Sequence, residues 1–232
     1  MARSAEPSST SPDQEAEQVK LLSEAGRLVD GGQSGDAITY ALDKVIAHFE
    51  KKYRNSTNRI YCAHSSAESL GYLTVAASKK ESAVVISGTW AEAYFLKGFA
   101  LINLQRASEG KAFIESAVAL SPHNPQYLSE LGHCFTLEKN WAKAEEMFKA
   151  AEGRTETAPS NEKEMKRLSR ALRGQAYVLV EFGKLDEAES IYQRCLKLDP
   201  NDKTAKAELG YVRGLRSKKS GDKLPESKTG NQ

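Results

Sequence analysis

Small and large apolar residues recur along the middle of the chain at matched intervals. Gly98, Gly110, Ile114 and Ala117 are followed, 34 residues on, by Gly132, Ala144, Phe148 and Ala151. A further step of 44 residues reaches Ala176, Ala188, Tyr192 and Cys195, the same order of small, small, large apolar and small side chains. That pattern predicts helix pairs. Small residues let two antiparallel helices approach where they cross, and a large residue four places later lies on the same face and fills the space beside the crossing. Proline cannot continue a helix, so Pro122 in SPHN and Pro200 in DPND close two of the three units.

These spacings resemble the tetratricopeptide repeat, whose signature is W-x2-L-G-x2-Y, then A-x3-F, then P. Segment 125–158 carries Leu128, Leu131, Gly132, Phe135, Ala144 and Phe148. Segment 91–124 offers Tyr94, Gly98, Leu101, Gly110, Ala117 and Pro122, and segment 169–202 offers Leu172, Ala176, Leu179, Ala188, Tyr192 and Pro200. Lys97 and Gln175 stand where the family has leucine, and segment 125–158 lacks the closing proline. The resemblance implies an all-α fold, a right-handed superhelix of antiparallel helix pairs ending in a polar-faced capping helix.

The units place the rest of the chain. Three repeats occupy 91–202, with an insertion at 159–168, and KTAKAELGYVRGLR (203–216) is the expected cap. Upstream, 15–90 is expected to hold degenerate helical repeats, one around the GGQSGD turn and one over 64–90, where Leu70–Gly71 and Ala83 fall in register. The ends, 1–14 and 217–232, are rich in Ser, Pro, Lys and Gly and have too little apolar content to fold.

Composition narrows the function. Net charge is +2 with 28% charged residues, too balanced to make nucleic acid or an anionic membrane the obligatory partner. The longest strongly apolar runs, AVVI and AYVLV, are far below the ~20 residues of a membrane span, so no membrane insertion is expected. The N-terminus has no apolar run of the secretory kind. Cys62, Cys134 and Cys195 form neither pairs nor a metal-ligand spacing, which makes a reducing cytoplasm the expected setting, although the mature part of an exported protein would read the same way.

Candidate chemistry is sparse. His133 and Cys134 are adjacent, so on a helix they diverge by about 100° and cannot share an ion. Glu145 and Glu146 fall beside the Ala144 crossing, where a solvated face is the simpler account. Cys62 and His64, two apart on a predicted helix, diverge as well. No His-x3-His, Cys-x2-Cys or Glu-x2-His spacing occurs, and GGQSGD lacks the strand and lysine of a phosphate loop. Nothing here calls for a catalytic residue, a metal or a cofactor.

Function is then expected on the surface that the resemblance implies, a concave groove lined by the first helix of each repeat. Carried onto this sequence, its positions include Phe95, Phe99 and Ile102, then Gln126, Ser129, His133 and Thr136, then Arg170, Arg173, Tyr177 and Val180. Phe95 and Phe99 share a helical face and together would make an apolar docking patch, unless they pack on a neighbouring repeat. Arg170 and Arg173 could hold a partner carboxylate, or simply face solvent. The expected activity is that of a non-catalytic adaptor for a peptide or helix of another protein. The acidic chaperone tail is not expected: a clamp for it needs Lys, Asn, Asn, Lys and Arg where this chain has Phe95, Phe99, Glu130, Arg170 and Gly174. Two alternatives stand beside this reading. The basic residues Lys163, Lys166, Arg167, Arg170 and Arg173 would suit a helical-repeat nucleic-acid binder, and some small bacterial proteins of this type act as chaperones for a secreted substrate. The irregular N-terminal part also leaves room for a homo-oligomer.

Overall fold

A computed structural model describes residues 12–154 and 161–221. The expectations for 1–11, for the middle of the loop before the third repeat and for 222–232 lie outside these residues. Helix α1 (Pro12–Asp30) turns at Gly31–Gln33 into α2 (Ser34–Asp36), a π-helical stretch (Ala37–Leu42) and α3 (Asp43–Tyr53). Then come β1 (Arg59–Ala63), α4 (Ser66–Ser78) and β2 (Ala83–Ser87), followed by helices only. These are α5 (Thr89–Asn103), α6 (Ala107–Leu120), α7 (Pro125–Leu137), α8 (Trp141–Gly153), α9 (Glu162–Glu181), α10 (Leu185–Leu198) and α11 (Lys203–Gly221).

From α5 onward the helices pair as the spacing requires. A Cβ on Gly98 would sit 2.7 Å from the carbonyl oxygen of Gly110, and one on Gly110 would sit 2.6 Å from that of Gly98, so α5 and α6 touch backbone to backbone. In the second pair the Phe148 ring fills the space over Gly132, where a Cβ would come within 2.9 Å of it, and the same ring covers Gly174 of the third. Ile114, Phe148 and Tyr192, the large residues of the pattern, are all buried. The departures from leucine have local causes. Lys97 reaches Asp43 at 2.6 Å and lies over the Phe113 ring, while buried Gln175 donates to Glu152 at 2.7 Å.

Side-chain caps fix the helix starts. Asn124 accepts from the backbone N–H groups of Gln126 and Tyr127, Asn140 from Lys143, and Asn161 from Glu164, satisfying donors a helix N-terminus leaves open. Asn161 starts α9 earlier than the repeat register, so the inserted residues 162–168 lengthen the first helix of the third repeat. The turn inside each pair uses a left-handed residue at one repeat position: Gln105, Lys139 and Gly183, with φ of 63°, 56° and 70°. At the other end, α11 continues to Gly221, so the cap runs past 216. Likewise 12–14 belong to α1 rather than to an unfolded tail.

The largest correction falls on 64–90, where no helix pair forms. Strands β1 and β2 pair in parallel, Arg59 opposite Ala83 through Ala63 opposite Ser87, with α4 crossing between them. The reason lies in the residues. Val84, Val85 and Ile86 are β-branched and fit a pleated surface. The Leu70–Gly71 step lies on α4, but a Cβ on Gly71 would meet nothing within 4 Å, so no helix crosses there. The sheet is covered on one face by Tyr72 and Ala76 of α4, and on the other Ile60, Cys62 and Ile86 join the core of α3 and α5.

Candidate functional site

The first helices of the repeats do not offer one uniform groove. Phe95 is 4% exposed and stacks on Tyr127 at 4.9 Å, while Phe99 and Ile102 are half-buried against the same core. The apolar patch expected at Phe95 and Phe99 is therefore an inter-repeat contact: Tyr127 of α7 comes down on α5 and takes the Phe95 ring as its packing partner.

The open surface lies further along, between α7, α9 and the start of α11. A cavity of about 790 Å³ is lined by Gln126 and Ser129 of α7, Lys163, Arg167, Arg170 and Arg173 of α9, and Asp202 and Lys203 before and on α11. A second cavity of about 340 Å³ continues it past His133, Thr136, Leu137, Tyr177 and Glu208. The two share Ser129, Arg170, Arg173 and Thr204, so they form one channel along α9. Sequence expectation thus reaches the channel at Gln126, Ser129, His133, Thr136, Arg170, Arg173 and Tyr177. It misses by placing Val180 there, since that residue packs half-buried against the α9–α11 core. It does not reach Thr204 and Glu208, which stand on the capping helix that walls the channel.

The two arginines are already engaged. Arg170 pairs with Glu130, which is 1% exposed, and Arg173 pairs with buried Asp202. Glu130 is therefore no surface charge that repels a ligand; it is a buried carboxylate neutralised across the repeat interface. Lys166 pairs with Glu162. Lys163, Arg167 and Lys203 have no ion pair among the described residues, and the Arg167 Nε and the Ser129 and Ser169 hydroxyls have no hydrogen-bond partner. At the other end Leu137 is 52% and Tyr177 42% exposed, the Tyr177 ring edge-on to Trp141 at 6.1 Å. The channel has a basic end and an apolar end.

The adjacent His133 and Cys134 face different surroundings. His133 faces the channel, while Cys134 is buried with its thiol pushed up to about 12 by burial. Burial likewise raises Cys62 to about 12 and Cys195 to about 11, and all three are free thiols. Among the described residues no three His, Cys, Asp or Glu side chains are grouped to hold a metal ion. No described helix is long and apolar enough to cross a membrane.

One polar cluster is not legible in the sequence, because Cys62 lies on a strand rather than on the expected helix. His64 follows β1, and its ring lies 3.5 Å from Glu68, 3.9 Å from Glu92 and 3.3 Å from the Tyr127 hydroxyl. Tyr127 donates to Glu92 at 2.5 Å, and Tyr72 and the His64 backbone N–H each donate to Glu68 at 2.7 Å. Burial works to raise the Glu68 carboxyl, but the hydrogen bonds from His64 and Tyr72 outweigh it and hold the pKa at about 2. The cluster ties the end of the sheet to α5 and α7.

Paired helices closed by small residues, with a channel along their first helices, define a helical-repeat protein. Family models described as tetratricopeptide repeat match residues 91–124 and 169–212. The chain therefore carries tetratricopeptide repeats over these segments. No curated protein matches it in sequence. Among solved structures, one from a functional characterisation of Pseudomonas aeruginosa pilF is similar at 12% identity and TM-score 0.61, covering 89% of this chain and 72% of that one. A putative kinesin light chain of Podospora anserina is similar at 13% identity and TM-score 0.51, covering 88% and 97%. The first repeat domain of Spaghetti (RPAP3), solved with an HSP90 peptide, is similar at 20% identity and TM-score 0.50, covering 57% and 99%. Identities this low speak to the fold.

Proposed function

We propose that this protein is an adaptor that takes an extended peptide of another protein into the channel between α7, α9 and α11. Tetratricopeptide repeats are protein-interaction modules, and the observation supporting this site is the continuity of the channel from a basic end to an apolar one. From Lys163 to Tyr177 it follows α9 for about 20 Å, room for about six extended residues. A ligand with an apolar residue against Leu137 and Tyr177, and acidic residues toward Lys163, Arg167 and Lys203, suits both ends. Tyr177 offers a large rigid contact of the kind that dominates binding energy.

The RPAP3 domain was solved with a peptide ending in EEVD. This chain has Phe95, buried, and Phe99 where a clamp for such a tail needs polar side chains, so the ligand sought is an internal acidic-apolar segment. The nucleic-acid alternative loses ground, since Lys166, Arg170 and Arg173 each face a carboxylate. Affinity capture from native lysate tests the proposal, comparing wild type with Leu137→Ser/Tyr177→Ala. Both residues are exposed, so helical circular dichroism is expected to hold while partner recovery falls roughly tenfold or more, as loss of an aromatic anchor implies. Unchanged recovery rejects the channel. Phe95→Ala is unsuitable for this purpose, because it opens a cavity in the core.

A further inference from the structure

The two edges of the small sheet are treated differently by the fold. On the β1 edge, the Cys62 carbonyl accepts a 2.6 Å hydrogen bond from the Ser121 hydroxyl, and Arg59 donates to the Ala119 carbonyl at 2.7 Å. The end of α6 thus covers β1. The β2 edge has no such cover. The Arg59 N–H donates to the Ser82 carbonyl at 2.8 Å, and with the parallel register this turns the main-chain groups of Ser82, Val84 and Ile86 toward β1. Those of Ala83, Val85 and Ser87 point the other way, and among the described residues no backbone partner meets them.

Beside this edge, α4 carries an uncovered apolar seam. Leu70 is 67% and Leu73 46% exposed, and with Ser66 and Ala77 they are spaced four, three and four apart, the spacing of helices that pack side by side. The right-handed crossover of such strand–helix–strand units turns the Leu73 flank toward β2 and the half-buried Val75 flank toward β1. Natural edge strands are blunted by charge, proline or a bulge, yet 82–87 contains neither a charge nor a proline. The one charge on α4, Glu68, is turned inward to His64 and Tyr72.

We infer that this edge and seam are where a second copy of the chain docks, β2 against β2 in antiparallel sense, making a four-stranded sheet with two α4 helices side by side. A single twofold axis serves both elements. An axis through Val85 pairs Val85 with its own copy and Ala83 with Ser87, forming about six main-chain hydrogen bonds. Val85 lies opposite Tyr61, and Tyr61 stacks under Tyr72 at 4.8 Å, the residue level with the midpoint between Leu70 and Leu73. The same axis therefore bisects the helix seam. Antiparallel α4 helices also set opposite dipole ends together. An unrelated partner strand would have no need of that coincidence.

Light scattering on the full chain, from low micromolar to submillimolar concentration, tests the inference. Wild type is expected to approach about 51 kDa, twice the 25.5 kDa of one chain. Leu70→Glu/Leu73→Glu, which alters only exposed side chains, is expected to stay at the single-chain mass with unchanged circular dichroism. Val85→Pro, which removes an outward N–H that the internal ladder does not use, is expected to do the same. Wild type at the single-chain mass throughout overturns the inference, as does a dimer that persists in both variants. A chain monomeric alone that holds a different protein on α4 also overturns self-pairing. These residues lie outside the channel, so failure here leaves the groove proposal standing, and the reverse.

Discussion

The segment 59–87 and the stack 89–221 carry the same kinds of residue, yet one repeats and the other does not. Both contain a Leu-Gly step, at Leu70–Gly71 and at Leu131–Gly132. Gly132 is required because the Phe148 ring occupies the space its side chain would take, whereas Gly71 faces open space. A motif residue therefore acquires meaning from what packs on it. In the stack each crossing is reinforced by the next, so the spacing between units is held. In residues 59–87 the hydrophobic surface is buried between a two-stranded sheet and α4 instead, and the register is free to drift.

That contrast can be broken experimentally. The largest effect is expected from Gly98→Ala. Its new methyl would meet the Gly110 carbonyl at 2.7 Å, and forcing two backbones apart costs about 2–3 kcal/mol in urea unfolding. An effect below half a kcal/mol would mean α5 and α6 are not locked by their glycines. A smaller effect is expected at Glu68, on the order of 1 kcal/mol for a group only partly removed from water. Its carboxyl titrates lower in the folded chain than in the unfolded one, so its contribution is complete above pH 4.5 and fades as pH falls toward about 2. Glu68→Gln should flatten that acid limb, followed by near-ultraviolet circular dichroism of Tyr61 and Tyr72; an unchanged limb would contradict the His64–Glu68–Tyr72 arrangement. The smallest effect has the opposite sign. Gly71→Ala adds a methyl in open space within a helix and should stabilise by roughly 0.5–1 kcal/mol.

What could be read from the sequence follows the same division. Gly98, Gly132, Ala144 and Ala176 announced the helix pairs because their spacing is enforced by contact. The channel was legible in part: Arg170, Arg173 and Tyr177 fall on it by register, but their charge partners Glu130 and Asp202 lie about 40 and 29 residues away and could not be inferred. Exposure of Phe95 is not legible, because periodicity gives a face, and only the neighbouring Tyr127 decides whether that face is covered. The strands escaped notice since SAVVIS is short enough to read as part of a helix, and parallel pairing across 24 residues leaves no local mark.

The docking role of the α7–α9–α11 channel is most directly tested by placing a photo-crosslinking amino acid at Tyr177 and, as a control, at Gln193 on the exposed face of α10. Irradiation in native lysate is predicted to yield a discrete protein adduct from the Tyr177 position and none from Gln193. Adducts from Gln193 alone, or from both positions equally, would contradict the account.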